Sequence, residues 1–223
     1  PILIQAYPDE LDKMAPELRR DAFCGKFSVM DVFTQHGLPF TALPPHVVHP
    51  SSPTFAEHVR YFDRVCRVVG GLRNTVVGAI GARTTAFKTV RIDELALQRH
   101  GITTETLDLS DVFARVHALS VTDKNVADKA EQLKTTAACE SVPAAAFENL
   151  AKLAAVLDAI IAEYRMDCLA VRCWIEMQQQ LGISPCVLLA MLNDRRVAAA
   201  CEVDLGNAVA MRALTLATGE PPV

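Results

Sequence analysis

The chain alternates short apolar runs with helical patterns, and this alternation constrains its fold more than any other feature. Ile2–Ile4, Thr75–Ile80, Thr103–Leu107, Cys168–Val171 and Val197–Cys201 read as strands. Between them lie segments with helical apolar spacing. Phe55, Val59, Phe62, Cys66, Val69 and Leu72 mark one face, and Phe147, Leu150, Leu153, Ala154, Leu157, Ile161 and Tyr164 another. Further helical patterns run over Glu17–His36, Thr89–Arg99, Asp111–Leu119, Val126–Leu133 and Trp174–Gln180. Strands separated by helices need crossover connections, which give a mainly parallel sheet. The expected fold class is α/β, a Rossmann-like parallel sheet flanked by helices, with parts of adjacent domains at both ends.

Composition narrows the function. Of the 223 residues, 51% are hydrophobic and 22% charged, as in an ordinary globular interior. A net charge of −4, with Lys and Arg scattered and no basic run, argues against holding nucleic acid by its phosphates. No apolar run reaches the roughly 18 residues that span a bilayer, so no membrane partner is expected. PILIQAYPDE lacks the positive flank and cleavage site of a signal peptide, and it lacks an initiator Met. The seven cysteines are odd in number and form no C-x-x-C pair. They read as free thiols in a reducing cytoplasm rather than as disulfides or a zinc site.

The loop holding Pro44, Pro45, Pro50 and Pro53 is the best candidate for a domain boundary, because proline excludes helix interiors and stiffens linkers. Three segments are therefore expected: 1–50 as the end of a first α/β domain, 51–195 as a second Rossmann-like domain, and 196–223 as the start of a further one.

Chemistry concentrates at strand ends. The stretch from Ala198 to Leu214, which includes AACEVDLGNAVAMRAL, sets Glu202 and Asp204 after an apolar strand and before a helix. Ligands of α/β proteins bind outside the carboxyl ends of strands. The two acids suit a metal or an acid/base pair; alternatively Asp204 caps the helix and Glu202 is solvated. VVGAIGAR runs a strand into a glycine turn. Gly81 there would let the backbone approach a ligand, and Arg83 would reach an anionic or polyhydroxylated group. Asp108 ends the following strand, as the ribose-binding acid of a nicotinamide-binding unit does. The G-x-G-x-x-G spacing is absent, however, and a tight turn with a surface Asp explains the same residues. Trp174, the lone Trp, precedes Glu176 just beyond Cys168–Val171; an aromatic face beside a carboxylate suits a sugar. Trp174 in the core and Glu176 opening a helix is the competing reading. His46 and His49 form H-x-x-H in the proline-rich loop, a spacing too weak for a metal site.

Three blocks resemble the L-fucose isomerase family, particularly its shorter fucose isomerase-like members: VVGAIGARTTAFKTVRIDELALQRHGITTETLDLSDVF, CLAVRCWIEMQQQLGISPCVLL and AACEVDLGNAVAMRALTLATGEPP. PILIQAYPDE to DAFCGKFS is similar to the end of that family's first domain. The resemblance implies a metal-dependent aldose–ketose isomerase, acting through an enediol on a sugar or a deoxy or modified sugar. It implies two Rossmann-like domains followed by a β-rich domain, of which this chain would be the central portion. It further implies a divalent ion, typically Mn²⁺, held by a Glu, an Asp and a His. Glu202 matches the Glu, as metal ligand and proton-transfer carboxylate, while the Asp and His would fall beyond Val223. Part of the active site would then lie outside this sequence. Asp204 would support Glu202, and Trp174, Glu176, Arg83 and Gly81 would line the sugar pocket. A homo-oligomer with sites between subunits is also implied. A non-catalytic sugar-binding module and, below it, a nicotinamide-binding unit are the rival readings.

Overall fold

The computed structural model describes residues 1–222; Val223, the last residue of the segment 196–223, lies outside them. Contacts divide the chain into two compact units, Pro1–Gly70 and Gly71–Val223. The expected boundaries lay near 50 and 195. The contact division falls in the last turn of the helix Pro53–Leu72, and the final strand joins the second unit's sheet.

The first unit carries α1 (Ala22–Gln35) and most of α2 (Pro53–Leu72). Ile2–Ile4 and Pro39–Ala42, both β-like in sequence, meet through the parallel bridge Leu3↔Thr41, and a second bridge joins Ala6 to Val47. α1 begins later than the spacing predicts because Asp21 takes a left-handed backbone (φ 56°) and anchors its N–H on Asp9. Lys26 is buried on this helix. Its ammonium donates to Gln5 Oε1 (2.8 Å) and to the His46 carbonyl (3.0 Å), which satisfies a charge that would otherwise be costly to bury.

The second unit is a four-stranded sheet, β1 (Val76–Ile80), β2 (Thr103–Leu107), β3 (Cys168–Val171) and β4 (Ala198–Cys201), in the order β2-β1-β3-β4. Every pairing is parallel. The fold is α/β, as the alternation predicts. Its helices are α3 (Glu94–Arg99), α4 (Leu109–Ala118), α5 (Lys124–Thr136), α6 (Ala144–Tyr164), α7 (Glu176–Leu181), α8 (Cys186–Asp194) and α9 (Leu205–Thr218). β3 is buried throughout, as expected for a parallel strand covered on both faces. One face packs α4, α5, α6, α7 and α8 through residues including Val112, Leu133, Leu153, Leu157, Met177 and Leu188. The other is thinner: Ala170, Ala198 and Ala200 let α9 settle closely through Leu205 and Ala208, beside Leu97 of α3.

Differences from the sequence expectation have local causes. Thr89–Arg99 divides into a 3₁₀ turn, Lys88–Val90, and α3, because Asp93 accepts from the Ala96 N–H (3.0 Å) and starts a new helix. Trp174 stays outside α7, its carbonyl held by Arg172 Nε at 2.7 Å. α8, which follows Pro185, was not among the expected elements. Asp204 caps α9, the alternative weighed for it above, accepting from the Asn207 N–H (2.9 Å), and Gly219 closes the helix at φ 77°.

An ion network ties the helical layer together. Asp158 on α6 meets Lys129 of α5 at 2.5 Å and Arg195 after α8 at 2.6 Å. Burial opposes its ionisation, but hydrogen bonds from Arg195 and Lys129 outweigh this and hold its carboxyl below the usual range. Such a group stabilises the fold above its unfolded pKa of about 3.9, and that contribution is lost as pH falls through the lower folded value. Asp158→Asn leaves the largely buried Lys129 without its carboxylate. We expect a loss of about 1–2 kcal/mol at pH 7, between the exposed and buried extremes for ion pairs. The loss should shrink as pH falls through the depressed pKa; urea unfolding at both pH values measures it.

Candidate functional site

The parallel register brings the carboxyl ends of β1, β3 and β4 side by side. The chain leaving β1 goes to α3 on one face, while the chain leaving β3 goes to α7 and α8 on the other. Where adjacent connections diverge in this way a parallel sheet opens a crevice.

Glu202 stands at the end of β4. It and Val203 both take left-handed backbone, with φ 57° and 58°. For non-glycine residues this costs of order 1–3 kcal/mol each, most of all for β-branched Val. The turn carries the chain from β4 into α9 within three residues, with the Asp204 N–H on the Cys201 carbonyl at 3.0 Å. Val203 is buried, and Glu202 is half-buried at the sheet's edge of solvent.

Both Glu202 oxygens are engaged. Thr84, in the loop after β1, donates its hydroxyl to Oε2 (3.2 Å). Cys173, just past β3, donates its thiol to Oε1 (2.5 Å). The Cys201 sulfur lies 3.2 Å from that of Cys173. Burial, and then the hydrogen bond to Glu202, push the Cys173 thiol far above its ordinary pKa, so it is a neutral donor at physiological pH.

The β3 loop is fixed by Arg172. Its guanidinium donates to the carbonyls of Trp174 (2.7 Å) and Ala82 (3.3 Å) and to Glu176 Oε1 (2.7 Å), so it clamps the β1 and β3 loops together. Glu176 Oε2 accepts the Ile175 N–H at 2.8 Å. Backbone hydrogen bonding at the head of α7, with Arg172 nearby, holds the Glu176 carboxyl below its ordinary pKa although burial opposes this. The indole of Trp174 is half exposed and lies 5.3 Å from the Phe87 ring, from the β1 loop. Together they form an apolar rim on the loops that hold Thr84 and Cys173.

Residues 1–73 match the family model described as the fucose/sulfoquinovose isomerase N-terminal domain, a match that ends close to the Gly70 limit of the first unit. A sulfoquinovose isomerase of Clostridium sp. (strain MSTE9) is 29% identical over 176 residues, 77% of this chain and 38% of that protein. Those of Alkalicoccus urumqiensis and Priestia megaterium (strain ATCC 12872 / QMB1551) are 26% and 23% identical over 207 residues, 92% of this chain and 46% and 45% of theirs. The chain resembles the fucose isomerase family. It spans under half the length of these curated relatives.

In this fucose isomerase-like chain the expected site residues separate into distinct placements. Glu202 is central. Trp174 and Arg83 sit on the two loops that hold it, although Arg83 folds back onto the Thr84 and Thr85 carbonyls (3.2 and 3.3 Å). Glu176 is turned to Arg172, and Asp204 caps α9. Gly81 has φ 90°, and a Cβ there would lie 2.8 Å from Leu109 Cγ and 3.0 Å from Arg172 Cβ. Its backbone and its packing both demand glycine. Asp108 caps α4, accepting from the Ser110 N–H at 2.7 Å, which also lowers its pKa. His49 pairs with Tyr7 and Ser51 rather than with His46.

Thr84, Arg172, Phe87 and the Cys173–Cys201 pair were not read as site residues. Their signal was position: each lies within a few residues of a strand end, and Cys201 adjoins Glu202. Mn²⁺ prefers oxygen and imidazole donors. Among the described residues, the one cluster of three metal-ligating side chains is Cys173, Cys201 and Glu202. One carboxylate and two thiols do not fit Mn²⁺.

Two outcomes follow. Gly81→Ala should destabilise the chain by about 2–4 kcal/mol, from left-handed strain and overpacking combined, measured by thermal or urea unfolding. Iodoacetamide at neutral pH should label the exposed Cys24 and Cys186 while sparing Cys173 and Cys168, whose buried thiol is pushed up to about 12. Peptide mass spectrometry reads the pattern.

Proposed function

We propose that this protein is an aldose–ketose isomerase of the fucose isomerase type, with Glu202 as its proton-transfer carboxylate. The observation that carries the reading is the placement of Glu202: a carboxylate on a strained turn at the carboxyl end of the sheet, held by Thr84 and Cys173. The names of the relatives favour a sulfonated sugar as substrate.

Isomerisation removes a proton from the carbon beside the carbonyl and returns it to the former carbonyl carbon, through an enediol. A carboxylate within reach of both carbons performs the two transfers as base and then as acid. Thr84 and Cys173 hold the Glu202 oxygens so that little reorientation is needed. Trp174 with Phe87 offers an apolar face to the C–H side of a sugar. Arg83, exposed on the adjoining loop, suits the sulfonate, a fixed anion that pairs well with guanidinium. The resemblance implies Mn²⁺, but the two sulfurs beside Glu202 do not suit that ion, so the proton transfer proposed here is carried by Glu202 itself. The chain spans under half the length of the curated relatives it matches, which supports an active site completed by residues beyond this segment. The seven free thiols support a cytoplasmic setting, and the exposed Phe23 and Phe27, one turn apart on α1, support an oligomer that covers that face.

The half-exposed Trp174 and Phe87 also favour a second reading, a sugar-binding module without catalysis. Solvent deuterium separates the two. The full-length protein with a panel of deoxy- and sulfo-sugars and Mn²⁺ should exchange the proton at C2 and form ketose. Glu202→Gln should lower turnover by about 100-fold or more, the typical contribution of general acid–base catalysis. Turnover unchanged in Glu202→Gln sinks the role given to Glu202, absence of both exchange and ketose sinks the isomerase assignment, and sugar binding without exchange establishes the module.

A further inference from the structure

The donors gathered around Glu202 include two sulfurs, and that of Cys201 has no part in the isomerisation proposed above. Cys173 Sγ is 3.2 Å from Cys201 Sγ and 2.5 Å from Glu202 Oε1, and Cys201 Sγ is 4.0 Å from the same oxygen. All three ligand atoms lie within 4.8 Å of one another. Tetrahedral zinc, with bonds of about 2.3 Å to sulfur and 2.0–2.2 Å to carboxylate oxygen, separates such donors by about 3.5–3.8 Å. The Cys173–Glu202 edge is shorter because a thiol proton bridges it; an ion in place of that proton opens the edge by about 1 Å.

The three donors are also set by the fold. Val171 of β3 is in register with Cys201 of β4, which places Cys173, two residues on, beside the β4 terminus. Thr84 occupies the other Glu202 oxygen, so Oε1 is the one facing the sulfurs.

We propose that Cys173, Cys201 and Glu202 form a binding site for a thiophilic divalent ion of the zinc class, with a fourth position open to solvent. Thiolate sulfur selects such an ion over Mn²⁺ or Mg²⁺. Two sulfur–metal bonds and one oxygen–metal bond form, both thiol protons pass to water, and no electrons are transferred. Occupation removes Glu202 Oε1 from proton transfer, so the ion inhibits turnover. That consequence rests on the isomerase reading; the ion site does not.

The test titrates the reduced, metal-free full-length protein with Co²⁺ as a spectroscopic stand-in, then displaces it with Zn²⁺, in the absence of sugar. One equivalent should bind with a thiolate-to-cobalt charge-transfer band, and Zn²⁺ should abolish it. Cys173→Ser and Cys201→Ser should each weaken Zn²⁺ binding by at least about 100-fold, since losing even an outer-shell partner costs 10–100-fold. Glu202→Gln keeps both thiols and should weaken binding while preserving the band; it serves as the readout should a serine variant fail to fold. A band absent from the wild type, undiminished in intensity and affinity in the serine variants, or unaffected in affinity by Glu202→Gln overturns the site. Because no sugar is present, that failure is distinct from failure of the isomerase reading.

Discussion

β3 is hydrogen-bonded to β1 on one side and to β4 on the other, in register, with all four of its side chains buried. The rest of the second unit depends on this pairing. It fixes the level at which the three chains leave the sheet, and so the relative heights of Thr84, Cys173 and Glu202. A parallel ladder cannot slip by one residue without moving its apolar set to the wrong face. The register that the two apolar layers enforce is thus the register that assembles the carboxylate and its two donors.

The two faces of the sheet contribute differently. The layer holding α6 supplies bulk, with Leu153, Leu157 and Ile160 fully buried, each stabilising by about 1.5–3 kcal/mol relative to exposure. The α9 face is built on alanine and brings the helix close to the strands. That short approach leaves little chain between β4 and α9, which accounts for the strained turn at Glu202 and Val203. Rigidity in one layer therefore maintains an unfavourable backbone in the other, at the position where chemistry is proposed.

The neighbours of Glu202 give one carboxylate two roles. As a hydrogen-bonded base it is restrained by a hydroxyl and a neutral thiol. As a member of a sulfur-rich donor set it is a ligand. Both follow from the same short distances; they differ only in whether a proton or an ion stands between Cys173 and Glu202. The family resemblance supplies the context for the first role, and the donor chemistry alone supplies the second.

Periodicity and punctuation in the sequence determined much of this protein. Thr103–Leu107, rich in β-branched threonine, and the apolar Cys168–Val171 occur with the boundaries expected of them, and Asp204 caps α9. Glu202 was legible as a strand-end acid because an acid after an apolar strand is a local pattern. Tertiary structure decided the partners. Thr84 is separated from Glu202 by 118 residues and Cys173 by 29, and no local propensity relates them. It also decided that Glu176 answers to Arg172, that Gly81 is required by Leu109 and Arg172, and that β4 lies beside β3 at the edge of the sheet. Local sequence encodes backbone preference and burial; side-chain contacts across strands are fixed only once register and layer packing are fixed.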